Sequence, residues 1–334
     1  MMIRYYFYKI LNKILSAFLY AKKGKILRSG VYEIVPRGFS FENKIVLAFW
    51  DRALVHLGDQ LFHEALTRYL IKNGFKVYVC GSSPLNSYFR ALGAEIISLE
   101  DLKKRKIEGA IFVSKDDMAF SVVSNFGKKN SFIGINYAAL ATEEKISLEI
   151  SRIILDFIKK SGAMQNVDSE IEKINFNPEV PESILNGYEE KQWFKLISAL
   201  SNKRFLVFNN YVASNFLDSG KREPLLENLC RKKKSEGFEI IHVGSKNDKL
   251  GDKKIYDFID HDLRGELDPM ALIKLFSLNN VEGVISFDTY VMHAASLFRK
   301  NLYIVNKNES VKEIFRKRFI PMYPGGEGTL REYL

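Results

Sequence analysis

The stretch that decides the fold is residues 44–80, KIVLAFWDRALVHLGDQLFHEALTRYLIKNGFKVYVC. It begins with the apolar run KIVLAFW (44–50) and ends with a second apolar run, FKVYVC (75–80). The segment between them has the spacing of an amphipathic helix from about Asp59 to Asn73. Two apolar strands joined by a helix predict a parallel pair, because parallel strands need a long crossover connection. The sequence therefore predicts an α/β protein built on a parallel sheet.

The same alternation continues along the chain on both sides of a break. Further apolar strands are predicted at 95–98, 109–114, 131–136, 205–210, 238–244, 283–287 and 301–306. Residues 162–200 interrupt the pattern, since they contain Pro178, Pro181 and one clear helical stretch. The predicted organisation is a leader helix at 1–30, a first Rossmann-like domain at 40–165, a linker at 166–200, a second Rossmann-like domain at 201–310 and a tail at 311–334. Two such domains leave a cleft at the carboxyl ends of their strands, where open α/β sheets bind ligands.

Composition excludes several classes of protein. A length of 334 residues favours two domains of about 100–200 residues each. With 46% hydrophobic and 27% charged residues, the chain is not disordered as a whole. The two cysteines, Cys80 and Cys230, cannot form a disulfide framework or a cysteine-rich zinc site, and both are expected to stay reduced in a cytoplasmic interior. The five histidines lack the HExxH spacing of zinc hydrolases.

The net charge of +10 is concentrated at the amino terminus. Residues 1–28 contain seven Lys and Arg residues and no acid, so nucleic acid is not a predicted partner, since that would require a basic folded face. The longest uncharged run, 14–21, is shorter than the ~20 residues of a spanning helix. Lysines on one side and aromatic residues with leucine on the other predict an amphipathic helix on an anionic membrane surface. Docking of this apolar side on the body or on a second subunit is the alternative.

Gly58 and Asp59 form the first motif of chemical interest, because they follow the strand at 44–50 and open the predicted helix. A glycine allows a ligand to approach the backbone closely. Asp59 is suited to act as a general base that takes a proton from an acceptor hydroxyl. The alternative role of Asp59 is an N-cap of the helix.

The second motif is SFDTYVMHAA (286–295), where the strand at 283–287 runs into a helix. Backbone N–H groups at such a helix start bind phosphate groups. Thr289 adds a hydroxyl, and His293 lies one turn further along the helix. The alternative is a capped helix with His293 packed in the core.

Together, LGDQLFHEALTRYL (57–70) and DTYVMHAASL (288–297) resemble motifs of glycosyltransferase family nine, the bacterial heptosyltransferases that build the lipopolysaccharide core. DLRG (262–265) is similar to the family's DLTG, and the resemblance covers most of residues 44–306. It implies a GT-B fold, in which two Rossmann-like domains face each other across a cleft. It also implies an inverting glycosyltransferase that requires neither a metal nor another cofactor.

The resemblance implies roles for particular residues and the identity of the partners. Asp59 corresponds to the catalytic base. The residues that correspond to donor-binding positions are Gly58, Lys221, Asp248, Asp288, Thr289 and His293. The implied partners are a nucleotide-diphosphate sugar and a lipid-linked or lipopolysaccharide glycan, at the inner membrane face. Tyr290 stands where the family has glycine, and a large side chain there is expected to narrow or reshape the donor pocket.

Other interpretations of the motifs remain open at this stage. Residues 260–262, DHD, match the Asp-x-Asp pattern of metal-dependent sugar transferases. The segment 58–60, GDQ, also resembles the start of polysaccharide pyruvyltransferases, although their carboxyl-terminal Arg-x-His pattern is absent. A non-catalytic relative that binds nucleotide or glycan is a third possibility. Residues 231–234, RKKK, predict a solvated helix face or a contact for an anionic glycan or lipid.

Overall fold

A computed structural model describes most of the chain outside the leader. The described residues are 30–49, 57–81, 83–105, 107–115, 129–135, 137, 140, 144–164, 166–211, 219–246, 256–306 and 312–334. In these parts of the chain, the strands form two six-stranded sheets. The predicted leader helix lies outside the described residues.

The first sheet is the predicted parallel sheet with one added strand. Its strands are β1 (Val31–Ile34), β2 (Lys44–Ala48), β3 (Lys76–Cys80), β4 (Glu95–Ile97), β5 (Ala110–Lys115) and β6 (Ser131–Ile135). Their order is β1-β6-β5-β2-β3-β4, and all neighbours are parallel except β1, which pairs antiparallel with β6. The chain moves outward from β2 to β4 and returns to β5 on the other side of β2. The strand order therefore reverses between β2 and β5, which is where open α/β sheets bind ligands.

The second sheet repeats this arrangement with parallel strands throughout. Its strands are β7 (Arg204–Asn209), β8 (Phe238–His242), β9 (His261–Asp262), β10 (Val281–Ser286), β11 (Asn301–Ile304) and β12 (Leu330–Tyr333). The order is β12-β11-β10-β7-β8-β9, the arrangement of the dinucleotide-binding fold. Its order reverses between β7 and β10. The tail takes part in this sheet, because β12 pairs with β11.

The helices of the first half surround the first sheet. They are α1 (Leu57–Leu61), α2 (Glu64–Lys72), α3 (Asn86–Ala91), α4 (Leu99–Lys104) and α5 (Ile146–Lys160). The predicted helix from Asp59 to Asn73 is thus two helices. Between them the backbone tightens into 3₁₀-type bonds, from Phe62 N to Asp59 O at 3.3 Å and from His63 N to Gln60 O at 3.2 Å.

The segment between the two sheets contains more helix than the sequence predicted. Its helices are α6 (Val167–Glu172), α7 (Glu182–Leu185) and α8 (Gln192–Ala199). The side chain of Asn166 caps α6 by accepting from Asp168 N at 3.1 Å. Pro181 precedes α7 in an extended conformation, as the fixed φ of proline favours at the start of a helix. The one helical stretch predicted here, around 182–200, contains α7 and α8, whereas α6 was not predicted. Each of the three helices buries only one or two side chains, so their sequence pattern is weak.

The second half contains the remaining helices. They are α9 (Ser219–Ser235), α10 (Pro269–Ser277), α11 (Tyr290–Ser296) and α12 (Lys312–Arg318). The RKKK segment lies on α9, and each of its side chains pairs with an acid. The pairs are Arg231–Asp257 at 2.7 Å, Lys232–Glu332 and Lys233–Glu236 at 2.9 Å, and Lys234–Asp260 at 2.6 Å. Arg231, Lys232 and Lys234 therefore tie α9 to neighbouring segments, whereas Glu236 directly follows α9 itself.

The two halves share one apolar core, to which side chains such as Leu47 of the first sheet and Leu302 of the second both belong. The segment after α12 returns to the first half, where Ser147 Oγ donates to Met322 O at 2.7 Å. Among the described helices, none combines the length and the apolar character that a bilayer crossing demands.

Candidate active site

Helices α1 and α11 each follow a strand next to the point where the strand order of its sheet reverses. The strand is β2 for α1 and β10 for α11. The two helices contact each other. The two motifs singled out in the sequence, 57–70 and 288–297, therefore meet at the carboxyl ends of the strands, where this class of fold binds ligands.

The contact between the helices is made by Gly58 and the ring of His293. A Cβ built on Gly58 would lie only 2.4 Å from His293 Cδ2. Phe62, one turn along from Gly58, meets the same ring edge to face, with centroids 5.2 Å apart and an interplanar angle of 82°. The imidazole of the second half thus lies directly on the first half.

One ring nitrogen of His293 faces a carboxylate, and the other has no hydrogen-bond partner among the described residues. Its Nε2 lies 3.3 Å from Asp288 Oδ1, and the residue is only 4% exposed. Its Nδ1 is buried and has no hydrogen-bond partner among the described residues. Buried polar atoms of native proteins almost always have a partner, so this nitrogen marks a place for a ligand or a water.

Thr289 presents a second such atom at the start of α11. It occupies the N-cap position with an extended backbone, yet its side chain makes no capping hydrogen bond. Its Oγ1 is buried and lacks a partner within the described part of the chain. The equivalent residue of α10, Asp268, does cap its helix by accepting from Ala271 N at 2.7 Å. The hydroxyl of Thr289 is therefore not used to build its own helix.

Asp59 lies in the first turn of α1, which begins at Leu57. It is the third residue of the helix and does not occupy the N-cap position that the sequence left open as its structural role. A carboxylate in the first turn is favoured by the helix dipole. Asp59 is half-buried and directly follows Gly58, the residue that touches His293.

Tyr290, which stands where the resembling family has glycine, packs between α11 and α10. Its hydroxyl donates to Pro269 O at 2.8 Å. Burial, with the negative charge of Asp268 as a smaller cause, raises its pKa well above the usual value, so the phenol stays protonated as a donor. The side chain is thereby occupied in packing two helices of the second half together.

Two predicted donor-binding residues are only partly accounted for. Lys221 lies in the first turns of α9, but its side chain is outside the described atoms, and Asp248 falls outside the described residues.

A polar cluster that the sequence did not indicate lies next to the start of α9. Asn210 Nδ2 donates to Glu223 Oε1 at 3.2 Å and to the Tyr256 hydroxyl oxygen at 2.8 Å. Its position directly after β7 was the available signal, since ligand-contacting residues cluster at strand ends.

The DHD segment directs its three side chains to separate partners. Asp260 pairs with Lys234 at 2.6 Å, and His261 Nε2 lies 3.1 Å from Glu239. Asp262 accepts from the guanidinium of Arg264 at 2.9 Å. Burial opposes ionisation of Asp262, but the hydrogen bonds from Arg264 outweigh it and lower its pKa. Among the described residues, no three His, Cys, Asp or Glu side chains are grouped to hold a metal ion.

Comparison with solved structures identifies the architecture. The chain is similar to E. coli ADP-heptose LPS heptosyltransferase II, with a TM-score of 0.57, 14% identity, and coverage of 87% of this chain and 90% of that one. It is also similar to a glycosyl transferase family 9 protein from Veillonella parvula, with a TM-score of 0.53, 10% identity, and coverage of 79% and 80%. No protein-family model and no curated protein sequence matches the chain. At these identities the likeness is one of fold, and it confirms the predicted GT-B arrangement of two Rossmann-like halves.

Proposed function

We propose that this chain is an inverting glycosyltransferase of the family-nine type, which transfers a sugar from a nucleoside-diphosphate donor to a glycan acceptor. The observation that carries the proposal is the contact of Gly58 with His293, because it joins helix α1, which bears Asp59, to the start of α11. There, Thr289 Oγ1 and His293 Nδ1 are buried without a partner in the described structure, and we call this pair of atoms the cradle. The names of the two similar structures, a heptosyltransferase that uses ADP-heptose and a family 9 glycosyl transferase, favour the same class of reaction.

In the proposed reaction, the carboxylate of Asp59 takes the proton of an acceptor hydroxyl. The hydroxyl oxygen then bonds to the anomeric carbon of the donor sugar, while the bond from that carbon to the diphosphate breaks. A single displacement of this kind inverts the anomeric configuration. The electron pair of the broken bond leaves with the nucleoside diphosphate, and the proton stays on Asp59 until solvent removes it.

The departing diphosphate needs hydrogen-bond donors at the place where its charge develops. The Thr289 hydroxyl supplies one, since it has no partner among the described residues. The Nδ1 of His293 is placed to supply another, while its Nε2 faces the carboxylate of Asp288. We assign Lys221 and Asp248 to the same donor site on the resemblance of their motifs. These groups are proposed to act without a metal.

The test is a binding screen of nucleoside diphosphates, followed by a transfer assay with the matching nucleotide sugars. We expect one nucleoside diphosphate to bind, and its sugar to be transferred with inversion, in the presence of EDTA as well as in its absence. Binding of phosphoenolpyruvate in place of nucleotides would indicate a pyruvyltransferase. Nucleotide binding without turnover of any sugar in the panel would indicate a non-catalytic relative. Either result contradicts the proposal.

We further propose that residues 1–28 hold the enzyme on an anionic membrane surface, where a lipid-linked or lipopolysaccharide acceptor is anchored. Their seven basic residues and the apolar side opposite the lysines support this role. Deletion of residues 1–28 is expected to lower binding to vesicles containing phosphatidylglycerol, and to leave transfer to a lipid-free acceptor unchanged. Equal vesicle binding by both forms would favour docking of the leader on the protein itself.

A further inference from the structure

We propose that Gly58 is a positioning residue, which seats the His293 ring on helix α1 and thereby sets the distance between Asp59 and the cradle at the start of α11. This inference rests on the proposed function. It assigns to Gly58 a packing role between the two halves, in place of a direct contact with the donor.

The backbone of Gly58 does not itself require glycine. Gly58 lies within a helix and is not among the glycines with positive φ, unlike Gly74 at +81° or Gly265 at +78°. Any residue adopts such a helical conformation. The reason for glycine must therefore lie in what surrounds the missing side chain.

What surrounds it is the imidazole of His293. The position of a Cβ on Gly58 is 2.4 Å from His293 Cδ2, 3.2 Å from Nε2 and 3.3 Å from Cγ. Ordinary contacts of a Cβ begin at 3.4 Å, so a methyl group at 2.4 Å would push the ring and the helix about 1 Å apart. Nδ1, the nitrogen without a partner, is not among these three nearest atoms.

The ring has little room to give way by itself. Asp288 lies 3.3 Å from its Nε2, and the edge-to-face contact with Phe62 fixes its plane. A methyl group on residue 58 therefore moves α1 relative to α11, and Asp59 moves with α1. A misplacement of about 1 Å costs about 10²-fold in rate when the displaced group is catalytic.

The first experiment compares Gly58→Ala with the wild type, using the donor identified by the panel. We expect kcat to fall by about 100-fold, whereas the KM for the donor and the Kd for the nucleoside diphosphate change by less than about 5-fold, because Thr289 remains in place. The matched control is Gly328→Ala, since no atom lies within 4 Å of a Cβ there and its φ is ordinary. The control is expected to keep full activity. Unchanged kcat in Gly58→Ala overturns the proposal.

The second experiment needs no turnover and separates this inference from the proposed function. Urea unfolding is measured for the wild type, Gly58→Ala, His293→Ala and the double variant. We expect Gly58→Ala to lower the unfolding midpoint when His293 is present, but not when the ring has been removed, where alanine is expected to raise it slightly because it favours the helix more than glycine does. Equal shifts in both backgrounds overturn the proposal. If the wild type transfers no sugar, the proposed function fails, and this cycle still decides whether Gly58 seats His293.

Discussion

Among the described residues, two of the polar contacts between the halves are built differently. Where the tail returns to the first half, Arg318 Nη2 lies 2.5 Å from Glu149 Oε2, both side chains are 4% exposed, and Arg318 Nη1 donates to Leu140 O at 2.8 Å. Where α1 meets α11, Thr289 Oγ1 and His293 Nδ1 are buried without a partner in the described structure. The first contact pairs its buried charges with each other and so holds the chain together, although Arg318 Nε also has no partner among the described atoms. The second leaves buried polar atoms available, as expected where a ligand completes the site.

The largest expected effect is on kcat, and it concerns Asp59, at the contact proposed to bind the ligand. Asp59→Asn removes the proposed base and keeps the size of the side chain, so kcat is expected to fall by about 10³-fold, within the range for loss of a general base. The urea unfolding midpoint and the Kd for the nucleoside diphosphate are expected to stay near wild-type values. Asp156→Asn, on the exposed face of α5, is the control and should keep full activity. An Asp59→Asn enzyme with wild-type kcat would remove this residue from the mechanism.

The second prediction concerns the tail contact. Arg318→Ala leaves Glu149 buried without its cation, and such broken pairs cost about 3–5 kcal/mol of unfolding free energy. Chemical denaturation measures this loss. Arg316→Ala on the same helix is the control, because that side chain is 52% exposed and its loss is expected to cost about 0.5 kcal/mol or less. Equal stability of the two variants would mean that the buried pair does not hold the tail.

A third, smaller effect concerns His63, a buried histidine of the first half. Burial lowers the pKa of His63 to about 3, and its Nε2 lies 2.7 Å from the Tyr137 hydroxyl. Because the folded-state pKa lies below the unfolded value of about 6.5, the unfolded state binds the extra proton as pH falls from 6.5 towards 3. Stability is therefore lost on acidification, by about 2 kcal/mol at pH 5 for this group.

The measurement for His63 is the unfolding free energy at pH 7 and pH 5, in the wild type and in His63→Gln. The substitution is expected to remove about 2 kcal/mol of the pH dependence, because Gln does not titrate. The same dependence in both proteins would show that His63 is not held neutral in the folded state.

The smallest effect tests the cradle itself. Thr289→Val removes the unpartnered hydroxyl and keeps the branched shape, so the Kd for the nucleoside diphosphate is expected to rise about 10-fold, as for one hydrogen bond to a charged group. Thr67→Val is the matched control: its hydroxyl is also buried without a partner in the described structure, but it lies inside the first half on α2. Titration calorimetry should find weaker binding only in the first variant. The same Kd for both variants would show that the Thr289 hydroxyl does not bind the nucleoside diphosphate.

The sequence predicted the parts of the fold that follow from apolar runs joined by helices. Strands β2 and β3 and the second sheet's β7, β10 and β11 are of this kind, because a buried parallel strand reads as a continuous apolar run. It did not predict β1, β9 or β12, which are short edge strands with polar residues. Each of these strands forms by pairing with one neighbouring strand at the edge of its sheet. The residues of the short segment alone do not indicate that pairing.

The candidate site was predictable in its location and not in its packing. Both motifs follow a predicted strand, and their order matches that of the resembling family. The sequence therefore predicted that Asp59, Thr289 and His293 belong to one site. The seat of His293 on Gly58 was not predictable, because it depends on how two distant helices pack. The anchoring of Tyr290 to Pro269 depends likewise on a neighbouring helix.

A crystal structure with the nucleoside diphosphate selected by the binding screen tests the central claim most directly. The account predicts phosphate oxygens within about 3.2 Å of Thr289 Oγ1 and His293 Nδ1, with the Asp59 carboxylate facing the diphosphate. A nucleotide bound elsewhere, with these two atoms still without a partner, would contradict it.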